Sequence, residues 1–452
     1  MSLYEFIQGF QFSDAPKHTQ QLVLNSLLDI IGVAAGASNN ETSQRLRTYA
    51  HEHYPAGKLA SRLLFDGRSV HPMGAAWAGG FCVDSLDAHE GHFTSKGHAG
   101  ATVVPALIAL ADAYRKQGHE ISGEQFLSAL LIAYETGLRA GVALMATAPE
   151  YHASGSFSGI GVVCGGAKLL GLDEITFRHA MGIAEYFGPR CPMMRLVDYP
   201  SMLRDAHGAG AYAGINALFM AMAGVTGAPA ETVEEDRVAS YWQDLGQRWE
   251  IDAQYFKPWP VCRWAQPALT AATQLRKAHP SLTPDNIKQV RVETFHESMR
   301  LQGYNPQNAD EAQYGLAFPL AAYFCRGQVG PSEVTGDAIH AEDIRQFSQK
   351  IDIVEADDLS KRFPEEILSR LIITLENGDV IQSETTAAKG DPGVPFTQTE
   401  FIEKFHQMAG VNLSLAHRQS IEQLVANLPS SPSCAPLFNL VLSEENSFDE
   451  GK

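Results

Sequence analysis

The sequence predicts a mainly α protein, with a large all-helical domain and a smaller α+β lid domain. Two textures carry that reading. Over the first 265 residues or so, apolar positions recur at helical spacing. After about residue 280 they alternate, as in half-buried strands. A chain of 452 residues also exceeds what one simple core holds, so more than one domain is expected.

Taken in order, residues 22–37 (LVLNSLLDIIGVAAGA), 75–88, 101–116 and 122–145 read as helices with apolar faces. Asp173 reads as the N-cap of a helix over 174–186. Small residues recur on these faces, at Gly79–Gly80, Ala99–Ala101, Gly159–Gly166 and Gly208–Gly214. They bury little area but let backbones approach closely, which fits a bundle of tightly crossed helices. The weakly polar stretch 208–229 is broken by Asn216, Thr226 and glycines, and reads as a buried helix rather than a membrane span. Residues 286–295 alternate as a strand, 309–326 read as helix, and 370–384 form a hairpin turning at Asn377-Gly378. Residues 415–428 are helical again, and the tail SFDEGK reads as frayed. The boundaries that follow are 1–266 for the first part of the helical domain, 267–394 for the lid, and 395–452 for a return to the helical domain.

Bulk composition narrows the function. With 34 basic against 52 acidic residues, the formal net charge is −18. That argues against a nucleic-acid or anionic-membrane partner, since both need a basic face. The N-terminus MSLYEFIQGFQFSD lacks the basic start and apolar run of a signal peptide, so a cytoplasmic location is expected. The six cysteines are scattered without a CxxC pair, which disfavours a zinc knuckle or an iron–sulfur centre.

Four segments could carry chemistry. The first, FCVDSLDAHEGHFTSKGH, packs Asp84, Asp87, His89, Glu90, His92 and His98 into fifteen residues. Acids and imidazoles so crowded can be tuned to titrate near neutral pH. Asp84 and Asp87, three apart, can share a helix face near its end. A metal reading through His89, His92 and His98 is weak, because His-Glu-Gly-His is not the HExxH spacing. In the second, His152 precedes a Ser/Gly run opening an apolar helix whose N-terminus could attract a carboxylate. The third gathers Arg190, Arg195 and Arg204 ahead of His207; guanidinium forks suit carboxylates, and ion pairs with Asp198 or Asp205 are the competing reading. The fourth, YFKPWPVCRWAQPA, sets Lys257 between aromatics and prolines, where it can act as base, as anion clamp, or as a plain surface lysine. Arg263 follows in the same stretch as a further carboxylate binder, and Cys262 reads as a buried structural thiol. Cations set beside carboxylates and histidines point to a site that binds a small di- or tricarboxylate and moves a proton on the carbon next to a carboxylate.

The order and spacing of LLDIIGVAAGA, DSLDAHEG…GHAGATVVPALIALADA, YHASGSFSGIGVVCGGAKLLGLD, SMLRDAHGAGAYAG and FKPWPVCRWAQPA resemble the MmgE/PrpD family over nearly the whole chain. That family includes 2-methylcitrate dehydratases, cis-aconitate decarboxylases and iminodisuccinate epimerases. The resemblance implies a two-domain helical fold with an α+β lid, an active site between the domains, a homodimer, and no metal or organic cofactor. It places the family's site residues on Asp87, His98, His152, His207 and Lys257. Three departures stand out. Arg204 occupies a position where many members have lysine, Phe318 one where some decarboxylating members have an aromatic hydroxyl, and Gln266 one where histidine is frequent.

The reaction that follows is dehydration of a hydroxy-polycarboxylate of the 2-methylcitrate type. Arg190, Arg195, Arg204, Arg263 and Lys257 would hold carboxylates, Lys257 or His98 would take the proton, and His152 or Asp87 would protonate the departing hydroxyl. The rivals are an epimerase on a related diacid such as iminodisuccinate, a non-catalytic carboxylate-binding protein and, as an outsider, a metal hydrolase.

Overall fold

A computed structural model describes residues 2–443; the SFDEGK tail lies outside the described residues. Helices dominate. Lys17–Ala37, Pro72–Asp84, Gly100–Arg115, Gly123–Thr147, Gly155–Leu170, Glu174–Phe187 and His207–Met222 pack into one apolar core. Their ends follow local chemistry. Ser122 and Gln125 close a capping box at the start of Gly123–Thr147, and the Asp173 carboxylate accepts the Thr176 N–H (3.0 Å), as its N-cap spacing predicts. Lys17–Ala37 and Gly123–Thr147 have the length and apolarity of membrane spans, but 83% of each such window is buried inside this fold. They are core helices.

The small residues set the crossings. A Cβ on Gly161 would lie 2.2 Å from the Ala133 carbonyl oxygen, so Gly155–Leu170 and Gly123–Thr147 touch backbone to backbone. Gly80 meets Gly208, and Gly210 meets Gly155, in the same way, each with backbone 2.7 Å from the missing Cβ. Helices this close bring their ends, and the loops between them, to one place.

The mainly helical part also carries two short strand pairs. Ser61–Arg62 pairs with Ser69–Val70, and Gly91–His92 pairs antiparallel with Gln254–Tyr255. The helix expected over 75–88 stops at Asp84, so Asp87 lies in the following loop and does not share a helix face with Asp84. The helix expected over 309–326 is two, Ala309–Gln313 and Ala317–Arg326, interrupted around Gly315.

The α+β part is a sheet ordered Ile351–Glu355, Ile287–Thr294, Leu368–Leu375, Val380–Gln382, with Thr386–Ala387 also on the third strand. The first pair is parallel (Val290 opposite Ile351) and the others antiparallel, with the expected turn at Asn377-Gly378 closing the hairpin. Inward residues alternate along Leu368–Leu375, and helix Gln266–Ala278 covers that strand. After the sheet, Gln398–Ala409 packs on Lys17–Ala37: Phe405 sits against Gly32, and Lys404 Nζ lies 2.5 Å from Asp29 Oδ1.

Gly161→Ala should force the two central helices apart and cost about 1–3 kcal/mol, the usual range for overpacking. Gly57→Ala, which meets nothing within 4 Å, is the control. Equal melting temperatures for the two variants would refute the close-crossing argument.

Candidate active site

Residues 85–99 form an almost continuous buried segment with little regular structure, at the heart of the helical part. Such backbone must find partners elsewhere. The Asp87 N–H donates to Gln313 Oε1 (2.8 Å), and the Ala88 carbonyl accepts from Lys404 Nζ (2.6 Å). The Asp84 carbonyl accepts from Arg204 (2.9 Å), and the His98 N–H donates to Ser154 Oγ (3.0 Å). Glu90 accepts the Gly100 N–H (2.8 Å) and the Gln254 amide (3.2 Å). At the Gly91–Tyr255 pair a Cβ would lie 2.3 Å from the Tyr255 hydroxyl and 2.7 Å from His98 Nδ1, so glycine there lets both side chains close in.

Against this segment opens a cavity of about 430 Å3. Its polar lining includes Asp87, His98, Asp205, Lys257, Arg263 and the phenols of Tyr151, Tyr255 and Tyr314. Glu297, Phe363 and Ile367 reach it from the α+β part, so both parts of the chain build it. Lys257 Nζ pairs with Asp87 Oδ1, both buried. The Arg263 guanidinium stacks 3.6 Å from the Tyr255 ring centroid and holds Asp391 at 3.0 Å.

His98 has a defined tautomer. Its Nδ1 lies 2.6 Å from the Glu90 carbonyl oxygen, which can only accept, so Nδ1 carries the proton. Nε2 is left with its lone pair, 3.6 Å from Asp205 Oδ2. Burial, then the nearby Lys257 charge, pushes the imidazole down to about 3, so it is neutral at physiological pH. Asp205 moves the other way: burial, then the Asp87 carboxylate, raises it to about 7. Burial also works against the Lys257 ammonium, but the Asp87 charge outweighs it and holds the lysine above its usual range. Asp87 is correspondingly held low by Lys257 despite its burial. The site thus combines a fixed cation, a neutral imidazole and a carboxyl poised near neutrality. Burial holds the three phenols above their usual range, as donors.

Of the residues singled out in the sequence, Asp87, His98, Lys257 and Arg263 line this cavity. His207 stands behind it, buried, sharing a hydrogen bond with Thr102 Oγ1 (2.8 Å), its ring 6.1 Å from that of His98. His152 pairs in a short bridge with Pro192, and its neighbour Tyr151 takes the place at the wall. Arg204 is not free to hold a substrate: it is buried, 2.7 Å from Asp310 and 2.8 Å from Gln313, and ties the helical part to the lid. Arg190 and Arg195 are exposed and off the cavity wall, Arg190 facing Glu185 at 3.9 Å. The free N-terminus expected before Gly155–Leu170 is already taken, since the Gly155 N–H donates to the Asp205 carbonyl (3.0 Å). Phe318 is fully buried away from the wall. Gln266 donates to the Trp259 and Val261 carbonyls (2.9 and 2.8 Å), stiffening the loop after Lys257.

Asp205 was read in the sequence merely as an ion-pair partner for arginine. Its backbone setting marks it out: Arg204 (φ 33°) and Ala206 (φ 58°) on either side are both left-handed, a strain of about 1–3 kcal/mol each for non-glycine residues. His89, His92 and His98 do not converge, because His92 turns to Glu250 (3.3 Å). Instead Asp84, His89 and His207 each present one ligand atom within 4.8 Å of the others, a grouping that could hold a cation.

A mainly helical fold with an α+β second part, and a buried acid–imidazole–ammonium cavity lined by both, define the class. The chain belongs to the MmgE/PrpD family: it matches the MmgE/PrpD N-terminal domain over residues 1–250 and the C-terminal domain over 259–430. It is 24% identical over 482 residues to the cis-aconitate decarboxylase-like protein oryM of Aspergillus oryzae, covering 98% of this chain and 97% of that one. It is 22% identical over 465 residues to a cis-aconitate decarboxylase of Aspergillus terreus, covering 95% and 92%.

Lys257→Met should strand a buried Asp87 charge and cost about 3–5 kcal/mol. Asp87→Asn added to it should restore part of that loss, read from denaturation midpoints in a double-mutant cycle. Simple additivity would show that the pair is not coupled.

Proposed function

We propose that this protein is a lyase that dehydrates a small hydroxy-polycarboxylate of the 2-methylcitrate type by taking the proton next to a carboxylate. The observation that carries the reading is the neutral His98, with its Nε2 lone pair 3.6 Å from a carboxyl raised to about 7, beside the Lys257 and Arg263 cations. The sequence left Lys257 and His98 as alternative bases. The Asp87 pairing favours His98, because a lysine held protonated cannot accept a proton.

In the step, the C–H bond next to the carboxylate breaks and its proton passes to His98 Nε2. The electron pair forms the C=C bond while the C–O bond breaks, and Asp205 protonates the departing hydroxyl, which leaves as water. Lys257 and Arg263 place positive charge beside the carboxylate on which negative charge grows. Transfer of the proton from His98 to Asp205 then resets the site. Asp205 takes the donor role that the sequence reading gave to His152 or Asp87.

A second reading is decarboxylation of a cis-aconitate-type acid, which the relatives' names favour. Phe318, where some decarboxylating members of the family have an aromatic hydroxyl, makes this reading the second one, although three phenols line the cavity.

Incubation with 2-methylcitrate, citrate, cis-aconitate and substituted succinates in deuterated water, followed by NMR, separates the readings. New alkene signals with water loss support the dehydratase, and carbon dioxide loss from cis-aconitate supports the decarboxylase. Deuterium next to a carboxylate without alkene makes the protein an epimerase, and silence across the panel removes the proposal. His98→Gln should lower kcat by about 10²–10⁴-fold with little change in KM; an unchanged rate would remove His98 as base.

The pH profile has a definite sign. Catalysis needs neutral His98, present above about 3, and protonated Asp205, present below about 7. Activity should therefore fall as pH rises through about 7, and Asp205→Asn should abolish that alkaline limb along with most of the rate. A limb that survives the substitution belongs to another group.

A further inference from the structure

The cavity has two unlike ends. Its polar end is closed: His98, Asp205 and Lys257 are all less than a tenth exposed. The rest of the lining is largely apolar, with Thr94, Lys96 and Glu297 among its polar members. Met193, Met194 and Val197, from the helix Met193–Asp198, form one side, and Trp264, Phe363 and Ile367 line it as well, the last two from the α+β part. This wall leads outward, because Met194, Trp264 and Phe363 are partly exposed whereas the catalytic groups are not. It is also preformed: the Trp264 ring packs edge-on against Phe295 and Phe363, at 6.1 and 6.2 Å.

A compact tricarboxylate engages the cations and hydroxyls at the closed end and has no chemistry to offer a wall of thioethers and aromatic rings. At about 430 Å3 the cavity falls within the roughly 300–1,000 Å3 typical of pockets for drug-sized ligands. Methionines adapt to a flexible chain better than branched residues do.

We infer that the substrate is a polycarboxylate bearing an unbranched alkyl arm longer than methyl, its acid head at His98 and Lys257 and its arm along the Met193–Val197 and Trp264–Ile367 walls. The inference rests on the proposed polycarboxylate chemistry and names the substrate class for that same site. Each methylene moved from water onto the wall should raise kcat/KM roughly fourfold until the wall is spanned.

The test uses two series on the intact protein. Citrates carrying methyl, propyl or hexyl at the methylcitrate position are assayed for alkene formation. Tricarballylates with the same arms, which have no hydroxyl to lose, are titrated calorimetrically. The expected result is a rise in kcat/KM and in affinity with arm length, with Ile367→Trp moving the optimum to shorter arms. Turnover of the methyl compound with no gain, or a loss, for the longer arms in both series overturns the inference and leaves the dehydratase standing. No turnover of any citrate, with tricarballylate affinity still rising with arm length, removes the dehydratase and sustains the alkyl-arm specificity. Affinity independent of arm length overturns the specificity whatever the turnover.

Discussion

The structure depends on burying an irregular, highly polar loop in an apolar core. Residues 85–99 lie where a helical bundle would ordinarily place aliphatic side chains, and most of them, the carboxylates included, are buried. Some of their partners are local, as in His98 with the Glu90 carbonyl, but others come from distant stretches of sequence. Gln313 and Arg204 hold one end, Ser154 and Gln254 the other, and Lys404 reaches in from the C-terminal return. Satisfying this one loop therefore fixes how the helical part, the α+β part and the last helices sit together. The close glycine crossings make it possible, because they bring the helix ends within hydrogen-bond reach of the loop.

The same burial generates the chemistry. Removing charged groups from water drives each toward neutrality unless an opposite charge compensates. Asp87 and Lys257 compensate each other and stay ionised. For His98, His89 and His207 burial outweighs any neighbouring carboxylate and holds them neutral, while Asp84 and Asp205 are pushed up by burial and by neighbouring carboxylates. A single low-dielectric pocket thus holds a neutral imidazole 3.6 Å from a carboxyl raised to about 7. In water the carboxyl would give its proton to the imidazole.

Most of the helices, the hairpin and four cavity residues were legible because they depend on local rules. Apolar periodicity marks a helix, Asn-Gly marks a tight turn, and Asp173 caps the helix that follows it. Asp87, His98 and Lys257 stand in conspicuous ionisable clusters, within which the family resemblance singles them out, and Arg263 follows Lys257 in the same stretch. The arginine cluster misled for a complementary reason. Adjacency in sequence says nothing about which guanidinium faces a cavity: Arg190 and Arg195 face outward and Arg204 is spent on Asp310. Asp205 was passed over because an aspartate beside arginine looks like an ion pair; its left-handed neighbours show only in the backbone.

The sequence by itself determined the mainly α character, the α+β insertion, the acidic net charge and the motifs that place the chain in its family, since all of these follow from residue type, period and order. Tertiary structure alone decided which titratable groups share a pocket, which imidazole nitrogen is left bare, and which cations remain at the wall. Those outcomes depend on distances between residues far apart in the chain, such as Asp87 with Lys257 and His98 with Asp205. Proton affinities respond steeply to such distances and to the exclusion of water, and neither is written in local order.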